Sequence, residues 1–286
     1  MPEFASRRGA FPASMLLVAA CFCSIGVKDA AAQNLIVSLP EQDGAWIRLE
    51  GSHVERKARP KATGGEGDLE VAWRSDLTIK SVGKEDAEFG GKSVPCRWVE
   101  FKVEFKPTKA TATEGATPPA PLGNRLYKVL LPESAVTGRH VDEGGLPVTF
   151  LPIVKGWRKI GDRDAEQVKE SALIVYPMIS LLTHYPNLQT DGAPGSVDVT
   201  LGSFEAQAWK GSRTLSNATV RSVNEGSIWT SDKVPFGTIK VAVKVQRFEK
   251  DATAPEDTFK LMSEVSSELA AVESGADATS DLPDAN

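Results

Sequence analysis

Cysteine and histidine are scarce in this chain, three of each, and their placement excludes most of the chemistry they usually carry. His53, His140 and His184 stand far apart, with no H-E-x-x-H pattern and no second ligand two or four positions away. No local metal site is expected. Cys21 and Cys23 lie in an amino-terminal segment that reads as removable, which leaves Cys96 alone and no internal disulfide. A lone cysteine in a strand-like run reads as a small buried hydrophobe rather than a nucleophile. The G-x-S-x-G frame of a nucleophile elbow is missing, since Gly51-Ser52-His53 and Gly195-Ser196 do not supply it. Gly65-Glu66-Gly67 is too short for a phosphate-binding loop. The chain is therefore read as a non-enzyme with no catalytic residue, cofactor or metal. A distributed site remains an alternative, and the meeting of His140, His184 and an acidic residue in one cleft would mark it.

Charge of one sign is also in short supply. A net charge of -5 over 286 residues points to no nucleic-acid partner. From Glu249 to Asn286 there are ten acidic and two basic residues, so the acidity belongs to the tail and the rest of the chain is at +3.

Long apolar runs are confined to the amino terminus. Arg7 and Arg8 precede an apolar stretch from Phe11 to Val27, and Ala30, Ala31 and Ala32 form an A-x-A site before Gln33. This is the order of a secretory signal, so an exported protein of the periplasm or the extracellular space is expected, with no transmembrane helix in the mature chain. Val18-Ala19-Ala20-Cys21 offers a second reading, a lipoprotein anchored at Cys21.

What the body has in quantity is alternation. Val99, Phe101, Val103 and Phe105 point one way and Glu100, Lys102, Glu104 and Lys106 the other. The same period recurs in Ile239, Val241, Val243 and Val245, and in Leu69, Val71 and Trp73. Shorter strand candidates are Trp46 to Glu50, Leu77 to Val82, Leu126 to Leu131, Val148 to Val154, Val197 to Ala208, Thr219 to Val223 and Ser227 to Thr230. Strands with one wet face belong in an antiparallel sheet. Gly90-Gly91, Gly144-Gly145 and Asn224-Glu225-Gly226 read as the tight turns between them, and Pro107 to Asn124 as a long exposed loop. The tryptophans in these runs are expected in the core.

Two segments read as helical. Asp164 and Gln167 make a capping box ahead of a helix over 165–176, with a second short helix following Pro177; a buried strand over Leu173 to Tyr176 is the alternative. Phe259, Met262, Val265, Leu269 and Val272 fall at spacings of three and four, which predicts an amphipathic helix. The organisation that follows is a signal segment at 1–32, one β-rich domain at 33–250, a carboxyl-terminal helix at 251–273 and an acidic, disordered tail at 274–286. The expected fold is mainly β (α+β), a strongly curved antiparallel sheet or half-open barrel covered by a few helices.

The apolar density from Leu173 to Leu182 is too short to span a bilayer. It reads either as a buried element or as the lining of an apolar pocket, with Leu173, Val175, Met178, Ile179 and Leu182 as the candidate ligand-binding residues. Residues 228–240, with the sequence Ile-Trp-Thr-Ser-Asp-Lys-Val-Pro-Phe-Gly-Thr-Ile-Lys, resemble the strand, proline-glycine turn and strand of secreted bacterial proteins of the lipoprotein-carrier-like (lipoprotein localisation) fold group. The resemblance covers about a fifth of the chain when Val197 to Ala208 is included. It implies a curved antiparallel sheet closed by helices, with acyl chains bound in its concave side and no catalysis. Two functions are thus in play for an exported cell-envelope protein of undetermined oligomeric state: binding of a lipid or other apolar small molecule, or a structural and interaction role toward an envelope protein with no small ligand.

Overall fold

The computed structural model describes residues 35–58, 68–108, 124–135, 138–141, 147–169, 172–173 and 188–282. In chain order the strands are β1 (Trp46–Lys57), β2 (Leu69–Phe89), β3 (Lys92–Pro107), β4 (Arg125–Pro132), β5 (Gly138–Val141), β6 (Pro147–Pro152), β7 (Lys155–Ile160) and β8 (Glu166–Gln167). They continue as β9 (Ala172–Leu173), β10 (Gln189–Thr190), β11 (Gly195–Val199), β12 (Gly202–Ser216), β13 (Val220–Thr230), β14 (Thr238–Glu249) and β15 (Lys260–Gly275).

Twelve of them form one antiparallel sheet in the order β10-β12-β13-β14-β15-β1-β2-β3-β4-β7-β8, with β11 paired to β12. The outermost strands β8 and β10 are two residues long and the sheet is not closed. β5, β6 and β9 make a separate three-stranded sheet. The order is a meander whose first and last strands meet in the middle, because β15 lies between β14 and β1.

Alternation decides which side chains go inward. Val99, Phe101 and Val103 are fully buried and Phe105 nearly so, all on one side of β3 as expected. Gly90 and Gly91, at φ 61 and 76, turn β2 into β3 in the left-handed conformation that a two-residue hairpin loop requires. Register shifts at Arg48/Leu49, Ser81/Gly83, Trp229/Thr230 and Arg247/Phe248 bend the strands and raise their twist. The bending is visible at Leu201, in the β11–β12 turn, whose N–H bonds to the Ala271 carbonyl of β15 at 3.1 Å. A flat sheet would hold strands three places apart at about 14 Å. One end of the core is closed by the 3-10 turn Pro235–Gly237, where the Val37 N–H bonds to the Phe236 carbonyl (2.9 Å) and Leu35 and Ile36 are buried.

Several expectations are corrected. Of the predicted helix over 251–273, residues 251–259 contain only the 3-10 turn Glu256–Thr258, and the rest is strand β15, hydrogen-bonded along both edges to β1 and β14. Pairing on two sides satisfies every ladder group of a central strand, and this outweighs the helical spacing of its apolar residues. The few covering helices are not found among the described residues, which contain only short 3-10 turns. Around Asp164 the capping box yields no helix: Glu166–Gln167 pairs with β7, and the Arg158 guanidinium holds the Glu166 carboxylate at 2.7 Å. Asn224-Glu225-Gly226 is no turn but the middle of β13, and Val197 to Ala208 is a hairpin rather than one strand. Nor is the tail featureless, since residues 276–282 are packed onto the sheet and Leu282 is buried. The region 109–123 and the second helix expected after Pro177 lie outside the described residues.

Candidate inner-face site

The register lets the inner face be read row by row. At the closed end, Ile47, Ile79, Phe101 and Tyr127 lie side by side on β1 to β4, followed by Leu49, Leu77 and Val103. The next row runs Trp209, Ile228, Val241, Leu269, Gly51, Ser75 and Phe105 from β12 to β3. It is still mainly apolar. Gly51 belongs there because a Cβ at that position would stand 1.8 Å from the Glu268 carbonyl oxygen.

Polarity then rises. One row further along are Gly211, Gly226, Val243, Ser267, His53 and Trp73, and beyond them Arg213, Asn224, Val245, Val265, Glu55 and Val71. His53, Asn224, Ser222 and Ser267 are buried. The His53 ring stacks on Trp73 with centroids 5.4 Å apart, and Phe105 meets it edge-on at 6.3 Å. Burial pushes the imidazole pKa down to about 4, although the Glu55 carboxylate pulls the other way. His53 is therefore neutral at physiological pH. Asn224 Nδ2 donates to the Arg213 carbonyl (3.2 Å) and to Ser222 Oγ (3.1 Å), and the Lys57 ammonium meets Glu55 at 3.0 Å.

Beyond the Phe101 row, Arg97 seals the far end. Its buried guanidinium donates to Asp43 (2.8 Å) and Ser81 Oγ (3.1 Å) through Nη1, and to Glu133 through Nη2 (2.9 Å) and Nε (3.1 Å). The inner face thus passes from a sealed apolar floor to a polar end lined by His53, Glu55, Asn224 and Arg213.

The outer face has different features. Trp98 and Trp157 sit there half-buried, which corrects the expectation of a core position for these two; Trp73 is buried, and Trp209 and Trp229 pack against the core as expected. Trp98 and Trp157 lie 5.6 Å apart, Lys128 and Lys155 stand over the Trp98 ring, and the Trp98 indole N–H donates to Glu85 (3.0 Å). A groove of about 720 Å³ crosses β12 to β15, lined by Lys210, Ser212, Glu225, Ser227, Ala242 and Glu268.

Of the residues expected to bind a ligand, Leu173 is placed in β9 with its backbone opposite the buried Leu151 of β6. Val175, Met178, Ile179 and Leu182 lie outside the described residues, as does His184, so the structure does not bring this set together. No group of three or more His, Cys, Asp or Glu among the described residues could hold a metal ion, and no helix among them is long and apolar enough to cross a membrane. Sequence reasoning missed His53, Ser75, Asn224 and Ser267, because polar residues at alternate positions read as a wet face. The signal was the parity of His53 with Ile47 and Leu49 along an unbroken strand.

No protein-family model matches the sequence, and no curated protein matches it. Among solved structures, the chain is similar to a Bacteroides fragilis protein proposed to be exported and described as having a YmcC-like fold. The match has 9% identity and a TM-score of 0.30, and covers 83% of this chain and 98% of that one. A likeness at that level leaves fold and function to rest on this chain's own residues.

Proposed function

We propose that this is an exported, non-catalytic protein that holds an apolar or amphiphilic molecule against the inner face of its sheet, apolar body toward the Phe101 floor and polar group toward His53 and Asn224. The supporting observation is the polarity gradient along that face, since ligand sites combine apolar walls with a few placed polar groups. The resemblance to lipoprotein-carrier-like proteins agrees with this reading in the open antiparallel sheet, while no covering helix is found among the described residues. The segment Leu173 to Leu182 is proposed as further lining, on the strength of Leu173 lying opposite Leu151.

Organic extraction of the folded, purified protein followed by mass spectrometry tests the proposal. A co-purified amphiphile in stoichiometric amount is expected, and a clean extract from a folded sample that also takes up no added fatty acid would sink it. One observation favours a second reading, that of an envelope interaction protein without a small ligand: Phe101, Phe236, Leu35 and Ile36 already fill the floor with the chain's own side chains. An empty extract together with a stable protein partner in a pull-down would select it.

A further inference from the structure

Glu100 has outward parity on β3, yet its side chain is 0% exposed because residues of the carboxyl-terminal segment lie over it. Its carboxylate accepts the backbone N–H groups of Asp281 (2.9 Å) and Leu282 (3.3 Å), the Ser280 hydroxyl (2.8 Å) and the Lys80 ammonium (3.0 Å). Lys80 also holds the Asp281 carboxylate at 2.9 Å and donates to the Thr279 carbonyl at 3.2 Å. Burial alone would lower the Lys80 pKa, but hydrogen bonds to Asp281 and Glu100 outweigh it and hold the pKa above its ordinary value. Leu282 is the apolar anchor, being 4% exposed.

The rest of the path is equally specific. The Trp46 indole N–H donates to Asp277 (3.0 Å), and the Ala278 N–H bonds to the Gly44 carbonyl (3.0 Å). Gly44, at φ 83, leaves room for the Ala276 carbonyl, which would be 2.6 Å from any Cβ there. Ala276, Asp277, Thr279 and Asp281 face solvent, so one buried leucine and a few polar contacts hold this segment, whereas the sheet beneath is held by whole rows of buried side chains. A segment so attached opens locally well before the sheet does.

We propose that residues 277–282 are a releasable strap and that the Glu100 slot is a recognition site for an extended segment with the Ser-Asp-Leu pattern of Ser280, Asp281 and Leu282, which the strap occupies in the resting protein. Two consecutive backbone N–H groups, a hydroxyl, an acid for Lys80 and a leucine are what the slot reads. While the strap is bound, a competing segment sees only the small open fraction of the protein, and weakening the strap removes that handicap.

The test uses full-length chains and a fluorescein-labelled peptide of sequence Ala-Asp-Ala-Thr-Ser-Asp-Leu, copied from residues 276–282. Leu282→Ser is expected to bind it about ten-fold or more tightly than the unaltered chain, and Glu100→Gln added to Leu282→Ser to abolish binding with the far-UV circular dichroism unchanged. Equal binding by the folded Leu282→Ser and unaltered chains, or binding indifferent to Glu100, overturns the proposal. Should a variant not fold, hydrogen exchange on the unaltered chain decides: the amides of Ala278, Asp281 and Leu282 must exchange far faster than those of Ile79 and Phe101, and exchange together with them refutes a releasable strap.

Discussion

Acid should weaken this protein through His53. The ring is 0% exposed, packed on Trp73 and Phe105, and its pKa falls from 6.5 to about 4. In the unfolded chain it returns to about 6.5. Between those values the unfolded state binds a proton that the native state refuses, so the group's effect appears as pH falls through about 6.5 and is complete near 4. Each unit is worth about 1.4 kcal/mol, giving roughly 3 kcal/mol over the whole window and about 2.5 kcal/mol between pH 7.5 and 4.5. Urea titrations at those two pH values on the unaltered chain and on His53→Phe isolate the effect, because the remaining carboxylates titrate in both. The variant should lose about 2.5 kcal/mol less than the unaltered chain on acidification. Equal losses, or a native His53 titrating by NMR between pH 6 and 7, would refute the reasoning.

Gly51→Ala places a methyl group 1.8 Å from the Glu268 carbonyl oxygen, so β1 and β15 must part; a loss of about 3 kcal/mol or more is expected in urea titration. Gly90→Ala meets no atom within 4 Å and carries only the cost of its φ of 61, about 1–2 kcal/mol. Replacing Arg97 by Met strips Asp43 and Glu133 of their shared cation; because both carboxylates still reach water, about 2–3 kcal/mol is expected, read from the same titrations. Burial pushes the Cys96 thiol pKa up, so iodoacetamide should leave the native protein unlabelled at pH 8 and label it rapidly in urea.

Legibility in the sequence followed the neighbours of each residue. The inward side of β3 could be read because Val99 to Phe105 alternates without exception. What covers the other side could not: Glu100 looked like its solvated neighbours Lys102 and Glu104, and only a contact 180 residues away buries it. β15 misled for a related reason, since Ser267 and Ala271 occupy inward positions and leave the larger apolar residues at a spacing that mimics a helix. Of the polar residues of the inner face, His53 carried only its parity with Ile47 and Leu49, and Ser75 and Asn224 carried no mark that set them apart from a wet face, because their burial depends on the rows that neighbouring strands contribute. The hairpin from Ile228 to Lys240 was legible, with Pro235 and Gly237 at the turn.

The direct test of a ligand on the inner face is quenching of tryptophan emission by a brominated fatty acid. Trp73 and Trp209 lie in the inner rows, whereas Trp98 lies on the outer face with Lys128 and Lys155 over its ring. Saturable quenching that disappears in the Trp73→Phe/Trp209→Phe double variant and persists in Trp98→Phe is the predicted result; quenching that survives the double variant, or none at all, would contradict it.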